Sequence, residues 1–130
     1  MKIAEYFETI KDHLLIVSFV TGFKILKQVD RSKNGHLRAH AILSDNSQLE
    51  FSEFVEQSAK EEIQLATYSY HWSDEKDNLI RRWDNTPHFP KLEIFPHHIH
   101  LSEDNVIPGE LTNIFTVLDE IAKIIEQRKV

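Results

Sequence analysis

Short polar turns divide the β-like segments of this chain, and they limit its topology more than any other feature. The turn signals are Lys33-Asn34-Gly35, Asp45-Asn46-Ser47 and residues 74–78. Asn-Gly tolerates the positive φ that a tight hairpin requires, and Asp and Asn favour turns generally. Parallel neighbours would need crossover connections of about a dozen residues or more. The short connections therefore predict a curved antiparallel β-meander of five to six strands.

Helical spacing of apolar residues predicts one helix at each end of the chain. Near the start, Ile3, Phe7 and Ile10 share a helical face. Near the end, a longer stripe has similar spacing: Leu111, Ile114, Leu118, Ile121 and Ile125. Residues 14–30 are rich in β-branched and aromatic side chains, which predicts a long first strand with a bulge at Gly22. The predicted fold class is α+β, with an N-terminal and a C-terminal helix packed against the sheet.

Length and composition are those of a small globular protein. The 130 residues fit a single domain, 1–130, and contain no linker-like segment. The absence of cysteine excludes disulfides and thiolate metal sites. No apolar run approaches the ~20 residues that a membrane span needs, and the first residues do not resemble a signal peptide. We therefore expect a cytoplasmic protein.

Charge is unevenly distributed along the chain. The net charge of −6 argues against a general nucleic-acid-binding protein, because such binding depends on clustered Lys and Arg. Residues 31–44 nevertheless contain three cations, two histidines and no acid, whereas residues 45–66 contain six acids and one lysine. The main acidic residues of the second segment are Glu50, Glu53, Glu56, Glu61 and Glu62. We expect this acidic block to form a solvated face, or alternatively a docking surface for a basic partner.

Residues 68–100 concentrate the side chains that carry out chemistry. They include five of the eight histidines and both tryptophans. In an extended backbone, His98 and His100 would point to one face and His97 to the other. Two imidazoles at this spacing can share proton transfer, or they can bind a metal with Asp84 or His88 as a third ligand. The alternative is a solvated polar strand without a catalytic role.

An arginine pair follows the same alternation. Arg81 and Trp83 would lie on one face of a strand, and Arg82 and Asp84 on the other. The guanidinium group is a planar set of donors that suits phosphate. Alternatively, Arg82 pairs with Asp84, and Asp84-Asn85 begins a turn.

Three aromatic residues, Tyr68, Tyr70 and Trp72, alternate on one face of the preceding strand, opposite His71. An exposed aromatic face beside arginines would suit single-stranded nucleic acid, since base stacking on such a ring is worth roughly 1–3 kcal/mol per base. The alternative is that these rings form the hydrophobic core. In that case His71 points outward and joins the histidine cluster.

Three motifs in this region occur together in one known family. They are YSYHW (68–72), RWDNTPHFP (82–90) and FPHHIH (95–100). With them the chain resembles the TumE-like toxin family of prokaryotic toxin–antitoxin systems, from about Gly35 to His100. One departure is Phe89, where the family tends to have a second histidine. The resemblance implies a small toxin that is neutralised by a helix-turn-helix antitoxin encoded beside it.

The leading functional hypothesis is a toxin that acts on RNA as a metal-independent ribonuclease. RNA cleavage needs a base for the 2′-hydroxyl, an acid for the leaving oxygen and a cation for the charge that develops on the phosphate. The candidate catalytic residues are His97, His98, His100, Arg82 and His88. The candidate nucleic-acid-binding residues are Arg81, Trp72, Trp83, His71 and Tyr70. This hypothesis requires no cofactor and no metal.

Two other functions are open from the sequence. One is a non-catalytic module that binds single-stranded RNA or DNA through aromatic rings and arginines. The other is a metallohydrolase that uses the histidine cluster with Asp84. The expected partners are the antitoxin and a single-stranded nucleic acid, with no membrane, and the sequence leaves a homodimer open.

Overall fold

Seven strands and two helices make up the computed structural model, which describes residues 1–85 and 97–128. The elements are α1 (Ile3–Ile16), β1 (Val20–Asp30), β2 (Asn34–Leu43), β3 (Gln48–Gln57), β4 (Ile63–Ser73), β5 (Leu79–Asp84), β6 (His98–His100), β7 (Val106–Pro108) and α2 (Ile114–Arg128). The strands form one sheet in chain order, and every neighbouring pair is antiparallel. The predicted α+β meander with a helix at each end is confirmed, but it has seven strands rather than five to six.

The two additional strands, β6 and β7, are the shortest in the sheet. Each has three residues, which is too few to display the alternation by which a strand is recognised in a sequence. β6 pairs with the end of β5, so that His98 lies opposite Asp84 and His100 opposite Arg82. This pairing brings two sequence motifs onto neighbouring strands.

The first helix is longer than the sequence interpretation allowed. Leu14 was assigned to a strand, but it continues the helical spacing of Ile3, Phe7 and Ile10, and all four side chains are buried. The chain leaves α1 after Ile16, and β1 begins at Val20. The bulge predicted at Gly22 lies one residue earlier, at Thr21, because the register with β2 shifts between Val20 and Gly22.

Two predicted turns are confirmed by their backbone conformation. Asn46, between β2 and β3, has φ 67°, and Asp77, between β4 and β5, has φ 65°. In the second turn the carboxylate of Asp74 accepts hydrogen bonds from the backbone N–H groups of Lys76 (2.8 Å) and Asn78 (2.9 Å). Asp and Asn are suited to such turns because they tolerate positive φ and bond to the nearby backbone.

The glycine at position 35 has a different role from the one predicted. Gly35 lies within β2, opposite Asp30, and it does not adopt positive φ. The hairpin closes one residue earlier, where the Arg31 N–H donates to the Asn34 carbonyl (2.9 Å). A Cβ atom at Gly35 would lie 2.7 Å from Cγ2 of Ile3. Glycine therefore permits the close approach of α1 to the sheet rather than the turn.

Both helices contribute to a core on one face of the sheet, which we call the inner face. Buried residues from the helices are Ile3, Phe7, Ile10, Leu14, Ile114, Val117, Leu118, Ile121 and Ile125. Those from the sheet are Leu37, Ala39, Ala41, Leu43, Leu49, Phe51, Val55, Tyr68, Tyr70, Trp72 and Trp83. Leu111, which was assigned to the helical stripe, precedes α2 and is 64% exposed. The opposite, outer face of the sheet carries the polar side chains of the same strands.

Candidate functional site

Two transverse rows of polar residues cross the outer face. Cross-strand pairs give the first row, from β1 to β6, as Lys24, His40, Glu50, His71, Arg82 and His100. The second row, in the same order, is Lys27, Arg38, Ser52, Ser69, Asp84 and His98. Neighbouring strands lie about 4.8 Å apart, so consecutive side chains in a row can interact.

Asp84 connects the functional groups of β5 and β6. Its Oδ1 lies 2.6 Å from Nε2 of His98, and its Oδ2 accepts a hydrogen bond from Nε of Arg82 (2.8 Å). Nε2 of His100 lies 3.5 Å from the same Oδ2. Asp84 and His98 are buried, whereas Arg82 and His100 retain 38% and 19% of their side-chain exposure. The buried carboxylate therefore holds the guanidinium and the imidazole of His100 where a ligand can reach them.

Two partly exposed imidazoles flank Arg82 in the first row. His71 precedes it on β4, with Nδ1 3.4 Å from Nη1 of Arg82, and His100 follows it on β6. Burial lowers the pKa of His71, and the charge of Arg82 lowers it further. Burial also lowers the pKa of His100, although Asp84 opposes this. A groove of about 410 Å³ lies beside the row and includes His71, Arg82 and Arg38 in its lining.

One group of side chains in this site has the geometry of a metal-binding set. Asp84, His98 and His100 each offer one ligand atom, and these atoms all lie within 4.8 Å of one another. Imidazole nitrogen and carboxylate oxygen are ligands that zinc accepts in catalytic sites. The sequence analysis named Asp84 or His88 as the third ligand to a histidine pair, and the structure brings Asp84 to that position.

The whole arrangement lies within a segment that matches one protein family. The model of the family described as Toxin TumE matches residues 7–129. The chain belongs to the Toxin TumE family. This confirms the resemblance carried by the three motifs, and it supports a role as the toxin component of a toxin–antitoxin system, with an antitoxin as the implied partner. No curated protein and no solved structure matches the chain.

Within residues 1–85 and 97–128, no helix is long and apolar enough to cross a membrane.

His97 is separated from the other two histidines of its motif. Its Nδ1 lies 2.8 Å from the hydroxyl oxygen of Tyr68, and the two rings are stacked with their centroids 5.8 Å apart. His98 and His100 instead lie beside Asp84 on the outer face, as the alternation predicted. His97 is therefore not part of the outer-face site. His88, the remaining catalytic candidate, lies outside the described residues.

The two arginines also lie on opposite faces of β5. Nη1 of Arg81 donates to Oε1 of Glu120 on α2 (2.8 Å), and its guanidinium carbon lies 5.9 Å from the centroid of the Trp83 ring. Arg81 therefore connects the sheet to a helix, and only Arg82 joins the outer-face site. This corrects the grouping of Arg81 with the nucleic-acid contacts.

The stacking role given to three aromatic residues also needs correction. Tyr70 and Trp72 are fully buried and Trp83 is 2% exposed, all within the core. Nε1 of Trp72 donates to Oγ of Ser47 (2.8 Å), which satisfies the polar atom of the indole. A base cannot stack on a ring whose faces are already covered by the core. His71, on the same strand, does point to the outer face.

Asn85 stabilises the end of the β4–β5 pair rather than taking part in the site. Its Oδ1 accepts from the Tyr68 N–H (2.9 Å), and its Nδ2 donates to the Ala66 carbonyl (2.9 Å). Asp84 and Asn85, which the sequence analysis treated together, therefore have different roles.

Glu53 is the most important residue whose position differs from the sequence-based prediction. Composition predicts a place in the solvated acidic block, but Glu53 is fully buried on the inner face. Its carboxylate accepts hydrogen bonds from the hydroxyls of Tyr6 (2.5 Å) and Tyr70 (2.6 Å) and from the Ile114 N–H (3.2 Å). Burial raises the pKa of Glu53, and the hydrogen bonds oppose this rise. The signal was available, because alternation along β3 places Glu53 on the same face as Phe51 and Val55.

Proposed function

We propose that this toxin cleaves single-stranded RNA by metal-independent acid–base catalysis on the outer face of the sheet. The observation that carries the proposal is the row His71–Arg82–His100, in which two partly exposed imidazoles flank one guanidinium. Two strand spacings separate the histidine backbones by about 10 Å. This separation leaves room for a phosphodiester over Arg82, between the two rings.

Each side chain of the row has a place in RNA transesterification. His71 removes the proton of the 2′-hydroxyl, and the 2′-oxygen attacks the neighbouring phosphorus. The bond from phosphorus to the 5′-oxygen breaks, and His100 in its protonated form supplies the proton that this oxygen takes up. The products are a 2′,3′-cyclic phosphate and a 5′-hydroxyl. Arg82 stabilises the charge that develops on the phosphate oxygens.

The neighbours of the two imidazoles support this division of roles. Nη1 of Arg82 lies 3.4 Å from Nδ1 of His71, and the charge of this guanidinium favours the neutral form of the imidazole, which is the form that a general base requires. Burial and the charges of His98 and Arg82 lower the pKa of His100, and the carboxylate of Asp84 opposes this by favouring the protonated imidazole. Asp84 and His98 hold Arg82 and His100 in position without contacting the reacting atoms.

The test is to incubate the purified protein with mixed single-stranded RNA in EDTA, and separately with added Zn²⁺ or Mn²⁺. We expect cleavage in EDTA, with cyclic phosphate ends, and a loss of about 10²- to 10⁴-fold in His71→Gln and in His100→Gln. His40→Gln is the matched control, because His40 is in the same row but contacts Gln48 and lies three strands from Arg82. Full cleavage by the His71→Gln/His100→Gln double variant would disprove the proposal.

The group Asp84, His98 and His100 favours a second candidate, a metal-dependent hydrolase. In that case EDTA would abolish cleavage, added Zn²⁺ or Mn²⁺ would restore it, and His98→Ala would be inactive at any metal concentration. RNA binding without any product would instead support the non-catalytic binding module.

A further inference from the structure

Phe54 is an exposed aromatic ring on the outer face of the sheet. It belongs to a third transverse row, in which Val29, His36, Phe54 and Thr67 are paired across β1 to β4. Its side chain lies on the imidazole of His36, with ring centroids 3.8 Å apart and planes 10° from parallel. Phe54 is 45% exposed, so it contributes little to the core.

The stacked pair is held in a fixed orientation. Nε2 of His36 lies 2.8 Å from Oγ of Ser52, a residue of the second row. Burial, together with the charges of Lys27 and Arg38, lowers the pKa of His36, so the ring is neutral near neutral pH. A neutral imidazole stacked flat on a phenyl ring is a rigid apolar surface, unlike an isolated phenylalanine that turns freely in solvent.

Cations surround this surface. A groove of about 430 Å³ passes beside the pair and is lined by Lys27, Arg31, His36, Phe54 and one acid, Glu56, among others. An aromatic ring flanked by lysine and arginine matches the composition of single-stranded nucleic-acid sites, where bases stack and phosphates meet positive charge. Glu56 is the one acidic residue that lines this groove, against Lys27 and Arg31, so the charge favours an anionic ligand over a basic or a neutral apolar partner.

The same face connects the stacked pair to the row His71–Arg82–His100. Phe54 and Glu50 are four residues apart on β3, which corresponds to about 13 Å along the strand. Two further strand spacings, about 10 Å, lead from β3 to Arg82 on β5. The direct separation is therefore about 16 Å by these spacings, a distance that a few nucleotides can span. Arg38 belongs to the second row, on the neighbouring strand β2, and lines the groove that also contains Arg82.

We propose that Phe54, supported by His36, is a stacking subsite for an RNA base a few nucleotides away from the scissile phosphate. Lys27 and Arg31 contact the adjoining phosphates. The subsite deepens the ribonuclease proposal and rests on it for the identity of the substrate. A single RNA strand would then lie along the outer face, with one base stacked on Phe54 and the scissile phosphate at the row His71–Arg82–His100.

The test measures binding separately from cleavage. A fluorescent single-stranded RNA oligonucleotide of mixed sequence is titrated with the full chain in a His100→Gln background, so that the probe stays intact. We expect Phe54→Ala to weaken binding about 5- to 150-fold, the range for loss of one base-stacking ring, and Phe54→Trp to retain it. Leu26→Ala is the matched control, because Leu26 is also 45% exposed and apolar, and it should change binding less than twofold.

Each outcome of the binding experiment either supports or overturns the stacking subsite at Phe54. Equal binding by Phe54→Ala and Leu26→Ala, or no binding by the parent, would overturn it. Loss of antitoxin binding without loss of RNA binding would also overturn it and would assign the surface to a protein partner. If Phe54→Ala weakens RNA binding but the unmodified chain cleaves nothing, the subsite stands and the ribonuclease proposal fails. Thermal unfolding of each variant confirms that it is folded.

Discussion

The two faces of the sheet carry similar side chains but use them differently. Arg81 and Arg82 are adjacent, yet one binds a helix and the other lies in the outer-face site. Glu53 and Glu50 share β3, yet one is buried with three donors and the other forms a half-exposed ion pair with Arg38. The carboxylate of Glu53 is tolerated on the inner face because it accepts three hydrogen bonds. On the outer face, a charge can remain accessible to a ligand. The strand position of a residue therefore says more about its role than its chemical type.

The largest expected effect is the difference in cleavage rate between substitutions of the two arginines. Arg82→Ala should lower the rate of RNA cleavage about 10²- to 10³-fold, because it removes the donor that stabilises charge on the phosphate. Arg81→Ala should change the rate only a few-fold, since its guanidinium pairs with Glu120 away from the site. Single-turnover cleavage of one RNA by both variants measures this. Similar losses in the two variants would mean that the faces are not functionally distinct.

The next comparison concerns the two glutamates of β3. Glu53→Ala should lower the free energy of unfolding by about 3 kcal/mol or more, because each buried donor left without an acceptor costs roughly 1–3 kcal/mol. Glu50→Ala should cost less than about 1 kcal/mol, as exposed ion pairs contribute little. Urea unfolding at one pH gives both values. A cost for Glu53→Ala as small as that for Glu50→Ala would show that its three hydrogen bonds add no net stability.

The pH dependence of cleavage tests the roles assigned to the two histidines of the outer face. Catalysis needs one histidine neutral and the other protonated, so activity falls below the lower pKa and above the higher one. Because the pKa values of His71 and His100 are both lowered from 6.5, kcat/KM should be greatest below that pH and decline through neutrality. The decline should approach about tenfold per pH unit on the alkaline side. A maximum above pH 7 would contradict the assignment of these two residues.

The smallest expected effect concerns a residue of the inner face. Trp72→Phe should leave the affinity for single-stranded RNA unchanged within about twofold, whereas a stacking ring would be worth roughly 1–3 kcal/mol. It should lower the free energy of unfolding by about 1–3 kcal/mol, because it removes the hydrogen bond to Ser47 and some buried volume. Titration with RNA, well below the unfolding temperature, checks the first point. Loss of RNA affinity in a folded variant would show that Trp72 takes part in RNA binding.

Alternation along the strands was enough to divide many of these residues correctly between two faces. It separated Arg81 from Arg82, and His97 from His98, without any structure. It could not say which face the helices cover, because an aromatic stripe is compatible with a core and with a binding surface. That choice depends on tertiary packing, which placed Tyr70 and Trp72 against the helices.

Three other features were missed, each for a different reason. The contact between Asp84 and His98 depends on the register of β5 and β6, which a local pattern cannot set across the connection of residues 85–97. Grouping Glu53 with neighbouring acids by composition hid its position opposite Tyr68 on the inner face. The end of α1 was misplaced because Leu14 fits both a buried helix and an apolar strand.

The strict chain order of the strands has a consequence for the toxin while the ribosome is still making it. Each strand pairs with the one synthesised just before it, so the sheet can grow as the chain emerges from its N-terminal end. His71 and Arg82 can come together on the first five strands, but His100 arrives only with β6. We expect chains stalled on the ribosome before residue 98 to be unable to cleave RNA. Cleavage activity should appear only in chains that include β6.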